Sequence, residues 1–219
     1  MFLLKSSTTP PGGVPETAPH LFPFFGRWLP YGVIGVLMIL ANCHLLGVAG
    51  SEHLAFSADA FHAGAWWQLF TYPFFHISIY HLLIDGLAFF TLLSCFSRNS
   101  WLQKTGLFIA SALGSVLISL LVDPRIYSFG LCGLSGVCHG MMAVYGLQLL
   151  DQSDKSEASS RVIGMSIFLI ITLKCTVELL SGSVVFAGMH AGPLGTPITA
   201  CHAGGVIGGL VYYCWLRLR

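Results

Sequence analysis

Six apolar runs, each about a helix-span long, constrain this chain more than any other feature. They cover residues 29–50, 77–97, 102–122, 132–150, 162–180 and 197–218. A helix needs about 20 residues to cross the hydrocarbon core of a bilayer. Charged side chains make up only 9% of the 219 residues and apolar ones 55%. A soluble domain carries about 25% charge and has nowhere to hide that much apolar surface. The expected fold class is therefore all-α, a polytopic six-helix membrane bundle. Disorder and a disulfide-stapled scaffold do not fit. The net charge of +1 gives no reason to expect nucleic acid as a partner. The seven cysteines form no CxxC pair and read as small buried hydrophobes.

Residues 1–28 contain Pro10, Pro11, Gly12, Gly13 and Pro15 and read as a flexible tail ahead of a membrane domain at 29–219. With six spans, both termini share a side with loops 98–101 and 151–161. That side holds Lys5, Arg27, Arg98, Lys155, Arg161, Arg217 and Arg219, with Lys104 just inside the third run. Loops 51–76, 123–131 and 181–196 hold only Arg125. The positive-inside rule puts both termini in the cytoplasm. Loop 51–76 carries Phe56, Phe61, Trp66, Trp67, Phe70 and Tyr72, so it is expected to lie in the outer membrane interface.

Ionisable groups inside a membrane are costly and mark function. His81 and Asp85 share one face of the second run, Ser135 and His139 one face of the fourth, and Lys174 and Glu178 one face of the fifth. His202 stands early in the sixth. Given the alternating run directions, all lie at a similar depth toward the outer surface. Ser135, within Gly133-Leu134-Ser135-Gly136, opens a helix whose free N–H groups favour developing negative charge. Such groups can hold an oxyanion. Gly205 and Gly209 follow His202 at helical spacing and allow the sixth run to lie close to the fourth. His202 would then reach Ser135 as general base. His139 can either pack on His202 or compete as the base. Lys174 and Glu178 can be a structural ion pair or a substrate-binding pair.

In this combination the sequence resembles the rhomboid intramembrane serine proteases. Trp67-Gln68, the cluster of His76, His81 and Asp85, the GxSG motif around Ser135, and His202 with Gly205 and Gly209 occur in that family's order. The resemblance covers about residues 29–218. It implies a serine endopeptidase with a Ser135–His202 dyad and no third acid. The implied oxyanion site consists of the Ser135 backbone N–H and the His81 side chain, with Asp85 where the family usually has Asn. Gly133, Gly136, Gly205, Gly209 and His139 would support it. No cofactor or metal is implied. His139, where Tyr is frequent, and Lys174-x-x-x-Glu178 make the chain most similar to the rhombosortase subgroup. That resemblance implies a bacterial inner-membrane enzyme with its active site toward the periplasm. Its membrane-anchored substrate would bear a C-terminal Gly-Gly motif ahead of an apolar helix. Lateral entry beside the fifth run would bring that substrate to Lys174 and Glu178.

Two other classes compete with this one. A catalytically inactive rhomboid-like protein that binds membrane helices would usually lack the serine or the histidine. A transporter would spread polar groups through the membrane or show inverted repeats, and the sequence does neither.

Overall fold

The computed structural model describes residues 22–48, 50–151, 158–185, 188, 192–193 and 195–219. Its helices run in the order α1 (Phe22–Ala41), α2 (Ala58–His62), α3 (Gln68–Thr71), α4 (Ile79–Cys95), α5 (Trp101–Val122), α6 (Arg125–Phe129), α7 (Ser135–Asp151), α8 (Ala158–Ser181) and α9 (Ala200–Arg217). Among the described residues the one β-type pairing is a bridge between Phe56 and Leu131. Each expected apolar run overlaps one of the long helices α1, α4, α5, α7, α8 and α9, with shifted ends. The expected tail falls on residues 1–21, which lie outside the described residues, and on 22–28, which form the first turns of α1.

On length and apolar composition alone, α5 and α8 are long enough to cross a membrane. The segment Gln68–Phe74 joins α4 as a third candidate through a bend of 99°. Helices α7 and α9 carry glycines and polar side chains because they are the inner helices. Outward faces are apolar: Leu87 on α4, Leu121 on α5 and Leu180 on α8 are 74%, 77% and 82% exposed. Leucine on that scale belongs against lipid rather than water.

Glycine and serine set the centre of the bundle. A Cβ at Gly205 would collide with the Gly136 carbonyl of α7, and one at Gly209 would meet the Gly140 carbonyl at 3.0 Å. Gly204 and Gly208 lie as tightly against Gly114 and Ala110 of α5. Helix α9 is thus wedged between α5 and α7 by two glycine pairs, where the sequence suggested a single glycine face against the fourth run. Dispersion and close Cα–H···O contacts stabilise such interfaces.

The connection between α1 and α4 is folded rather than loose. Asn42 donates from Nδ2 to the Met38 and Phe74 carbonyls and accepts from the His76 N–H at 2.8 Å. Gln68 accepts from Ser57 N–H and donates to the His53 carbonyl. Tyr72 donates its hydroxyl to the Ala112 carbonyl of α5. Trp66 and Trp67 remain exposed, and Phe56 and Tyr72 are core residues. The segments expected to share the outer side do meet at one end of the bundle. Arg125 forks onto Asp123 and donates to the Gly182 carbonyl, and Ser78 donates to the Pro193 carbonyl. The Arg125 hydrogen bonds hold the Asp123 carboxyl below the usual carboxylate range. At the other end Asp151 accepts from Tyr213 and pairs with Arg217 at 3.2 Å.

Candidate active site

Ser135 is the first residue of α7. The chain reaches it through Gly133, whose φ of 91° lies in the left-handed region. A side chain there would also meet His81 Nε2 at 2.7 Å and Asp85 Oδ2 at 2.8 Å. The next N–H, that of Leu134, donates to Asp85 Oδ2 over 2.7 Å. Helix α4 therefore pins the turn that presents Ser135. His81 Nε2 lies 3.3 Å and His76 Nε2 3.5 Å from the same Asp85 oxygen. The family-implied oxyanion donor, His81, thus has its Nε2 beside a carboxylate, and its buried Nδ1 has no partner among the described residues.

His202 lies in the first turn of α9, with Nε2 3.1 Å from Ser135 Oγ. Its Nδ1 is 2.7 Å from Glu178 Oε2. The other Glu178 oxygen accepts from Lys174 Nζ at 2.6 Å and from the Val185 N–H at 2.9 Å. Thr199, just before α9, donates its hydroxyl to the Glu178 carbonyl at 3.0 Å and so ties α9 to the end of α8.

His139 lies one turn below Ser135. Its ring is parallel to that of His202, with centroids 4.0 Å apart and planes inclined by 8°. Its Nδ1 is 2.6 Å from the Ser135 carbonyl and its Nε2 2.9 Å from Lys174 Nζ. A carbonyl can only accept, so Nδ1 carries the proton and Nε2 accepts from the ammonium. Both nitrogens are engaged away from the Ser135 hydroxyl.

His139, Glu178 and His202 offer three ligand-type atoms within 4.8 Å of one another. The cation this cluster holds is the Lys174 ammonium, bonded to two of the three. Parallel imidazoles also aim their in-plane lone pairs side by side, a poor start for tetrahedral ligation.

A cavity of about 370 Å³ opens onto Ser135, His202, His81, Asp85, Lys174 and His139, with apolar walls that include Ile77, Ile84, Phe129 and Ile198. Lys174 reaches it with a side chain 26% exposed, whereas Glu178 is fully buried and does not line it. Both Glu178 oxygens, expected to be open to an entering substrate, are taken by partners inside the protein. Sequence reasoning missed the Glu178–His202 contact, although the shared face of Lys174 and Glu178 and their depth were visible. Cys201, read with the other cysteines as a small buried hydrophobe, is buried and has its Sγ 3.9 Å from Ser135 Oγ. Gln68 lies in the connection before α4 and bonds within it.

A helical bundle with apolar outer faces, holding a serine at one helix start beside a histidine on a glycine-packed neighbour, defines a class of membrane-embedded protein. The family model described as Rhomboid domain matches residues 63–219, and the chain belongs to the rhomboid family. Members of that family are in general intramembrane serine proteases that act on membrane proteins within the bilayer. Comparison with curated proteins finds no match.

Proposed function

We propose that this protein is an intramembrane serine endopeptidase in which Ser135 is the nucleophile and His202 the general base. The observation that carries the reading is the 3.1 Å approach of His202 Nε2 to Ser135 Oγ inside a cavity large enough for a peptide segment. His202 takes the hydroxyl proton as Ser135 attacks the scissile carbonyl, then delivers it to the leaving amine. The Ser135 N–H at the α7 start and His81 face the developing oxyanion, with Asp85 holding the turn between them. Gly133, Gly136, Gly205 and Gly209 allow the close backbone approach on which the pair depends.

The long helices α1, α4, α5, α7, α8 and α9 then make six spans, with the termini cytoplasmic and the site toward the outer face. The substrate class we propose is the rhombosortase type, a bacterial inner-membrane protein with a Gly-Gly segment ahead of its C-terminal helix. The subgroup markers His139, Lys174 and Glu178 support it, because they meet in one network around His202. Lys174, lining the cavity, is the member placed to meet substrate. The test is cleavage of a Gly-Gly reporter in membranes. Wild type should cut it, and Ser135→Ala and His202→Ala should each remove nearly all cleavage while the protein stays folded. Cleavage that survives Ser135→Ala would sink the reading.

A further inference from the structure

We infer that Glu178 is a third member of the catalytic group, a positioning residue that fixes the tautomer and the ring plane of His202. The inference rests on the proposed roles of Ser135 and His202, and it departs from the two-residue dyad that the family resemblance implies.

Glu178 Oε1 accepts from an ammonium and from the Val185 N–H, so the group acts as a carboxylate acceptor. The Lys174 ammonium 2.6 Å away holds the group ionised with no proton to donate, so its second oxygen, 2.7 Å from His202 Nδ1, accepts as well. The proton of neutral His202 therefore sits on Nδ1. That leaves the Nε2 lone pair directed at the Ser135 hydroxyl 3.1 Å away, the arrangement a general base needs. When His202 takes the serine proton, the new imidazolium lies against a buried negative charge. The charge is itself balanced by Lys174, so it can be kept in an apolar bundle.

Other contacts restrict the ring further. His139 stacks flat on one face of His202. Thr199 holds the Glu178 backbone to the start of α9. Burial of Glu178 away from the cavity is what a positioning role requires, since a group that touched substrate would line it.

An amide cannot replace this carboxylate. In Glu178→Gln the single oxygen would face two donors, Lys174 Nζ and Val185 N–H, while one donor, His202 Nδ1–H, is on the other side. Satisfying the larger set turns the amide NH₂ toward His202. His202 must then accept on Nδ1, its proton moves to Nε2, and the serine loses its base. A wrong tautomer at this position in a serine hydrolase lowers kcat by about 10⁴-fold.

The experiment combines ¹⁵N-histidine NMR with kinetics in detergent, at a pH where the imidazole of His202 is neutral. The His202 signals are assigned by their loss in His202→Gln. In the wild type the ¹⁵N shifts should show Nδ1 protonated and Nε2 bare. A proton on Nε2 in the wild type overturns the inference whether or not Glu178→Gln folds. In Glu178→Gln the tautomer should invert and kcat on a Gly-Gly reporter should fall about 10³- to 10⁴-fold, with KM nearly unchanged. Glu178→Asp should keep the wild-type tautomer and recover much of kcat. A merely structural role would lower the yield of folded protein but leave its tautomer and kcat as in the wild type, and that result also overturns the inference. Cleavage surviving Ser135→Ala would instead overturn the proposed function, whatever tautomer His202 shows.

Discussion

The imidazole of His139 lies flat on that of His202, its Nδ1 bonded to the Ser135 carbonyl and its Nε2 to Lys174. The stack explains how one histidine can stand a turn below the serine without competing for its proton. An aromatic ring of similar size should do the packing. We expect His139→Phe to keep cleavage within about tenfold of wild type and His139→Ala to lose more, through a freed His202 ring. Loss of all activity in His139→Phe, with fluorophosphonate labelling gone, would make His139 the base instead.

Asp85 gathers Leu134 N–H, His81 and His76 at one oxygen. Phe74 adds a constraint: its carbonyl, 3.1 Å from His76 Nδ1, requires a proton on that nitrogen. His76 Nε2 therefore stands 3.5 Å from the Asp85 oxygen with no hydrogen bond of its own among the described residues. An asparagine can accept from Leu134 and offer its NH₂ to the cavity. Asp85→Asn should accordingly cleave within about tenfold of wild type, and Asp85→Ala should fall at least a hundredfold as the turn before Ser135 loosens. Equal loss in both variants would show that the carboxylate charge itself is needed.

Ionisable groups within apolar runs are rare enough to be compared with one another, and their shared depth was legible. That depth put Ser135, His139, Lys174, Glu178 and His202 in one layer, and the structure joins all five by hydrogen bonds and a ring stack. The partner of Glu178 was not legible. A helical face tells which residues point together but not which neighbouring helix they address, and the i, i+4 Lys174 offered a sufficient local partner. Glycine spacing showed that the last helix packs closely. It could not show that Gly204 and Gly208 serve α5 while Gly205 and Gly209 serve α7, because that depends on three helices at once. The start of α1 at Phe22 was not legible, because the long apolar run begins only at Leu29 and residues 1–28 read together as a tail.

Gly205 tests the close approach of α9 to α7. A methyl group there meets the Gly136 backbone, which cannot rotate away as a side chain would. Gly205→Ala should cost about 3 kcal/mol, the upper end of overpacking penalties, and move His202 away from Ser135. Gly188→Ala, with open space around it, is the control. Thermal unfolding in detergent that gives equal midpoints for both would contradict the wedge.

The proposed orientation predicts which single cysteines a membrane-impermeant maleimide reaches in intact cells, in a background lacking the native cysteines. Positions 52 and 188 should label from outside. Positions 155 and 219 should label only after permeabilisation. Labelling of position 155 from outside would place the site on the opposite side of the membrane.

The central claim is that Ser135, activated by His202, is the nucleophile. Its most direct measurement is to treat the purified protein in detergent with a fluorophosphonate, digest it, and locate the adduct by mass spectrometry. The account predicts a stoichiometric adduct on Ser135, absent from Ser135→Ala and slowed by at least a hundredfold in His202→Ala. An adduct on another residue, or undiminished labelling of Ser135→Ala, would contradict it.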